Sequence, residues 1–351
     1  MKKTIFLMGI AALAFASCAK DTVKESNIGR AIDFRVAAET RASETTTGNL
    51  TTFYVTALTE AGGNYFTDAT FVKEGNYFTS TPAYYWPGAG SLTFYAYAPS
   101  AETLGAAVTV NSSKKTIEGY TPNANITNQI DLVAATATGS KANESTGVAL
   151  LFEHKLSQIE VNAKNANSGY KYLIKGVRIA QVGSKGNLDL VTGNWTLVSE
   201  EEKVVKAVYD VTYTGAIELT STTKNIMKAA NDNAMLIPQQ LVAWNPTDDK
   251  TNTAKGAYLS VLAQVETADG SRVYPKKTGL DYAWLAIPVS TKWEAGNKYV
   301  YTLDFSEGAG YPDPIDGDNT VEEVLGNSIN FTMQVKPWET KPETLGVTAN
   351  E

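Results

Sequence analysis

Leu92-Thr93-Phe94-Tyr95-Ala96-Tyr97-Ala98-Pro99 is the stretch that decides the fold. Read as a strand, it places Leu92, Phe94, Ala96 and Ala98 on one face and Tyr95 and Tyr97 on the other, because successive strand side chains alternate. No run with helical period interrupts the region around it. Upstream, Phe53-Tyr54-Val55-Thr56-Ala57-Leu58 is a second strand, turned by Gly62-Gly63-Asn64. Tyr65-Phe66, Tyr77-Phe78 and Tyr84-Tyr85-Trp86-Pro87 mark further short segments, and Asp131-Leu132-Val133-Ala134-Ala135 closes the series. The second half opens with the apolar run 148–161. Further strands follow over 173–182, 188–190, 195–198, 204–213, 217–219, 233–238, 258–265, 284–289 and 299–305. So many short strands bounded by Gly, Pro and Asn predict an all-β protein of β-sandwiches with Greek-key connections.

The chain has 351 residues, enough to bury a substantial core, with 43% hydrophobic and 19% charged residues. A net charge of −7 without a clustered basic stripe argues against nucleic acid as a partner. The first 17 residues read as an export signal: Lys2 and Lys3, an apolar run over 5–15, then small residues before Cys18. That run is too short to span a bilayer. Loss of the signal removes both lysines and takes the net charge from −7 to −9. Cys18 is the only cysteine, so it forms no internal disulfide, and Phe15-Ala16-Ser17-Cys18 resembles a loose lipobox. Acylation there would tie the chain to the outer membrane, each buried methylene contributing about 0.8 kcal/mol.

The two ends carry nearly the same strand: Ile32-Asp33-Phe34-Arg35-Val36 and Ile329-Asn330-Phe331-Thr332-Met333-Gln334-Val335. The first lies between the tether that follows Cys18 and Thr40-Arg41-Ala42, a candidate protease site before the polar run 43–49. Losing Ile32, Phe34 and Val36 would leave an apolar trough and unpaired backbone groups. A strand from another chain, inserting Ile329, Phe331, Met333 and Val335, would bury four side chains, worth about 6–12 kcal/mol before association costs. The other reading is that first and last strands simply pair side by side within one chain. Arg30 and Arg35 are rival cut sites, but cutting at Arg30 leaves the strand in place and Arg35 lies inside it. Pro337 ends the terminal ladder by lacking a donor.

Residues 136–147 lack large apolar side chains and read as a domain boundary or as a long hairpin loop. The expected organisation is a signal over 1–17, a tether and removable first strand over 18–41, an N-terminal sandwich over 42–146 and a C-terminal sandwich over 147–351. The candidate donor strand lies at 328–338.

In their order and spacing, several segments resemble the fimbrillins of Bacteroidales, the type V pilins and their relatives. They are the lipobox, the 32–36 strand, Thr40-Arg41-Ala42, the 84–87 and 92–99 segments, Leu151-Phe152-Glu153-His154-Lys155-Leu156-Ser157, the 293–301 segment that opens Trp293-Glu294-Ala295-Gly296-Asn297, and Val335-Lys336-Pro337-Trp338. The resemblance spans almost the whole chain. It implies two transthyretin-like sandwich domains in tandem, export as a lipoprotein, cleavage after Arg41 by an arginine-specific protease, and polymerisation with other fimbrial subunits through the C-terminal strand. The same family holds tip and accessory subunits, so an adhesin or a monomeric surface lipoprotein binding glycan or host protein is the alternative.

No enzyme is expected. The single histidine, His154, would have to serve any Ser-His-Asp triad, yet it reads as a structural residue on one strand face with Phe152 and Leu156. Clustered His and Cys for zinc are lacking, and no cofactor is expected. The acidic run Asp313-Pro314-Ile315-Asp316-Gly317-Asp318-Asn319 does not have EF-hand spacing and reads as a solvated turn rather than a calcium loop. Tyr84, Tyr85 and Trp86 read as sandwich core, with a carbohydrate-stacking platform as the other possibility.

Overall fold

Tyr95 and Tyr97 set the architecture, because a strand apolar on both faces must be covered on both. In the computed structural model, which describes residues 31–36, 49–200, 203–228, 233–246, 256–315 and 323–338, the strand Ser91–Ala98 lies inside an eight-stranded sheet. The sheet order is Glu153–His154, Val133–Ser140, Ser91–Ala98, Thr52–Thr59, Asn64–Glu74, Tyr77–Ser80, Phe34–Val36 and Val148–Leu150. Its two outermost strands are consecutive in the chain, separated only by Leu151 and Phe152, so the sheet curls round on itself. Leu92, Phe94, Ala96 and Ala98 line the enclosed core with Phe34, Phe53, Phe71 and Phe152. Tyr95 and Tyr97 point into a second core on the other side.

That second core is roofed by a four-stranded sheet ordered Trp195–Leu197, Gly186–Asp189, Lys115–Tyr120 and Ala107–Val110. Two of its strands come from the first half of the chain and two from the second, joined where Leu188 faces Ile117 and Asp189 faces Thr116. Burial pushes the Tyr120 hydroxyl in this layer well above its ordinary pKa, so it stays neutral.

The third and largest core lies between two sheets of the second half. One has the order Lys224–Asn225, Ser157–Lys164, Asn297–Asp304, Asn330–Pro337, with Ala234–Leu236 pairing alongside Ser157–Lys164. The other is built on the long antiparallel strands Lys206–Glu218, Tyr170–Gly183 and Tyr258–Thr267, continued by Ala283–Pro288 and Tyr311–Pro312. The expectation of layered β structure therefore holds.

The expected division at 146/147 falls between Val133–Ser140 and Val148–Leu150, two strands of the one eight-stranded sheet. Residues 136–140, expected as loop, are the second half of a strand paired with Ser91–Ala98. They lack bulk because others supply it: a Cβ at Gly139 would sit 2.9 Å from the Trp86 ring and 2.8 Å from Val148.

Asp313, at the head of the acidic 313–319 run, differs from its reading. Asp313 is buried, accepting hydrogen bonds from Ser260 Oγ at 2.6 Å, Tyr258 OH at 3.1 Å and Arg178 Nη1 at 3.4 Å. It is therefore not a solvated turn residue; 316–319 lie outside the described residues. Tyr84 stacks on Phe66 and Trp86 is buried, whereas Tyr85 is 60% exposed and stands apart, so the three rings make no common platform.

Candidate functional site

The first strand is wedged between two others of the curled sheet. Its short alternating pattern Ile-x-Phe-x-Val directs Ile32 and Phe34 inward, and both are wholly buried. The Phe34 ring meets Phe71, Phe94 and Phe53 edge-on, at centroid distances of 4.7, 5.0 and 5.9 Å. Along its backbone the strand is held on both sides. Phe34 pairs antiparallel with Phe78, while Phe34, Arg35 and Val36 pair parallel with Val148, Ala149 and Leu150. At the entry, Ile32 N–H donates to the Tyr84 carbonyl at 2.6 Å and Val148 N–H donates to the Asp33 carbonyl at 3.0 Å. Asp33 is itself buried, and its carboxylate lies over Gly147. A Cβ there would come within 2.7 Å of Asp33 Oδ1 on a backbone with φ +68°, so only glycine leaves room for residue 33. Arg35 is exposed but its backbone is in the ladder, as expected of a poor protease site. Val36 is half-buried.

The terminal strand Asn330–Pro337 has the opposite character. It pairs with Asn297–Asp304 on one side and is the outermost strand of its sheet. Of the four apolar side chains, only Ile329 is buried, seated against Gly310 in the third core. Met333 is half-buried, Phe331 is 38% exposed and Val335 is 52% exposed. The four side chains that a donor strand would bury together are thus unevenly covered in their own chain, and among the described residues no strand pairs with the outer edge. The first and last strands do not pair with one another.

Beyond that strand comes Trp338, whose partners no local pattern in the sequence indicates. It is buried, its ring stacked on His154 at 3.9 Å and 6°, and its backbone N–H donates to the Gly296 carbonyl at 2.8 Å. His154 Nδ1 lies 2.8 Å from Asp131 Oδ2, so a buried carboxylate orients the imidazole under the indole. The single histidine is thus a structural residue, as expected. Of the two residues expected on its face, Phe152 packs in the first core instead, whereas Leu156 lies in the second core together with Trp338. The tail is a strap, pinned at Ile329 and Trp338 and loosely covered between.

Trp338→Ala should therefore weaken the strap, removing about 1.5–3 kcal/mol of burial. Amide exchange over 330–337 should rise about tenfold to a hundredfold while the long strands of the second half keep their protection. Unchanged exchange there would show that the indole holds nothing. Cys18, Arg41 and Ala42 lie outside the described residues.

A family model described as fimbrillin-like matches residues 40–338. A fimbrial protein from Bacteroides vulgatus has a similar structure, with TM-score 0.57 and 17% identity, covering 88% of this chain and 99% of that one. A candidate cell adhesion protein from Bacteroides ovatus aligns with TM-score 0.50 and 14% identity over 89% of this chain and 99% of its own. At these identities the likeness is one of fold. No curated protein sequence matches the chain.

Proposed function

Because the chain belongs to the fimbrillin-like family, we propose that it is a structural subunit of a cell-surface fimbria, polymerised by exchange of its C-terminal strand. In this reading Cys18 carries the lipid that holds the precursor at the outer membrane. An arginine-specific protease cuts between Arg41 and Ala42, and Ile32, Phe34 and Val36 leave with the released segment. The terminal strand of a neighbouring subunit then fills the vacated slot with Ile329, Phe331, Met333 and Val335. The single observation that carries the proposal is the contrast between the two strands. The one ahead of the proposed cut site buries Ile32, Asp33 and Phe34 between two ladders, and its look-alike at the tail is left half-covered on a sheet edge. Emptying the slot exposes Phe71, Phe94 and Phe53 together with two rows of backbone groups, which favours refilling by another strand.

Precursor lacking its signal, treated with a trypsin-like protease and run unboiled on a gel, should be clipped near Arg41 and form ladders. Deleting 327–351 should abolish the ladders and spare the clipping. A clipped protein that stays as one band would overturn the reading. A second reading, a tip or accessory adhesin that receives a strand and keeps its own, draws on the burial of Trp338 against His154. It predicts a single band with a tail still protected from exchange after cutting.

A further inference from the structure

Within the slot, burial is a pattern rather than a uniform property. Residues 32, 33 and 34 are buried, 35 is exposed and 36 is half-buried. The tail presents Ile329-Asn330-Phe331-Thr332-Met333 in the same chain direction. Isoleucine and phenylalanine recur at the two fully buried core positions. Between them stands asparagine, the isostere of aspartate, at the position that must fit over Gly147. Threonine matches the exposed arginine, and methionine matches the half-buried valine, where a flexible side chain is tolerated.

At home only Ile329 of these residues is buried. Phe331 is 38% exposed, and Asn330 lies at the surface, donating to Glu307 at 2.9 Å. A reversed strand would keep the ring in place but set Thr332 over Gly147 and Met333 in the tight Ile32 position. A shift by two residues would put Ile329 or Met333 among the three phenylalanine rings.

We infer that the tail of a second copy enters the slot in the direction of the strand it replaces, with Ile329, Asn330, Phe331, Thr332 and Met333 taking the places of Ile32, Asp33, Phe34, Arg35 and Val36. The inference rests on the strand-exchange reading above. It also goes against one part of it, because Val335 then falls two places past Val36, the last paired residue of the described strand.

Cysteine pairs read the register directly. Ala149 is the exposed neighbour of Arg35 across the parallel ladder, so it should face residue 332 of the incoming strand. Adjacent strands lie about 4.8 Å apart, within the Cα reach of a disulfide, about 4.4–6.8 Å. Cys18 is the only native cysteine, so precursor beginning after it supplies a clean background. Clipped and oxidised Ala149→Cys/Thr332→Cys protein should give ladders that survive boiling and collapse with dithiothreitol. Ala149→Cys/Asn330→Cys and Ala149→Cys/Gln334→Cys should lose the covalent ladder, and uncut protein should give none.

Phe331→Ser, an exposed change in the folded subunit, should abolish ladders in unboiled gels, whereas Val335→Ser should leave them. Non-covalent ladders with cross-linking at 330 or 334 instead of 332, or ladders lost with Val335→Ser and kept with Phe331→Ser, overturn the register and leave strand exchange standing. Absence of any ladder from every variant and from the parent overturns the exchange itself.

Discussion

Replacing Phe34 by alanine should cost the uncut protein about 3–5 kcal/mol of stability, the usual range for a phenylalanine removed from a tight core. Its ring lies among Phe53, Phe71 and Phe94, and those rings belong to strands already fixed by their own ladders, so the site has little freedom to collapse. The neighbouring Arg35→Ala, at an exposed position one residue along, should change stability by no more than about 0.5 kcal/mol. Denaturant unfolding of the two variants beside the parent is the measurement. A Phe34→Ala loss below about 1 kcal/mol would mean that the first strand adds no more than a surface substitution does, and the plug would have no physical content. If exchange operates, the same variant should also form ladders with less protease than the parent, since a weaker plug leaves more readily.

The second large effect belongs to the buried pair at the far side of the third core. Arg178 spreads over the Trp284 ring at 4.1 Å and reaches Asp313 at 3.4 Å and Asp210 at 3.5 Å. Asp313 is additionally bound by Ser260, Tyr258 and the Ile315 N–H, which ties residues 311–315 to the edge of their sheet. Arg178→Ala should cost about 3–5 kcal/mol, mostly because it leaves a carboxylate buried without its cation. A double variant that also carries Asp313→Asn removes the stranded charge and should recover part of the loss. No recovery in the double variant would place the cost in lost packing on Trp284 instead of charge.

Much of this molecule is legible in its sequence, for a definite reason. The alternation in 92–98 separates the two faces of the central strand as the cores later divide them, because side-chain direction in a strand depends on neighbours one residue apart. The likeness of 32–36 and 329–333 is likewise plain, and the buried state of the first follows from its apolar pattern.

What escapes is whatever depends on distant partners. The small residues of 136–140 look like loop until Trp86 and Val148 are seen to fill the space above Gly139. Nothing local pairs 115–120 with 186–189. The joining of Asp131, His154 and Trp338, far apart in the chain, leaves no spacing to read, and neither does the service of Asp313 as acceptor for side chains from two different strands. Cys18 and Arg41 rest on sequence alone.

The sheet shared between Lys115–Tyr120 and Gly186–Asp189 has a mechanical consequence. In a fibre assembled by strand exchange, a subunit is gripped at its slot by one neighbour and by its tail by the next, so any tug on the fibre runs through its body. The slot belongs to the curled sheet and the tail to the third core, and this seam laces the layers between them. Its strands are drawn from both halves of the chain, so the halves cannot be drawn apart without tearing those hydrogen bonds together with the tyrosine-lined core beneath. Under traction the two halves of the subunit should therefore resist separation along this seam.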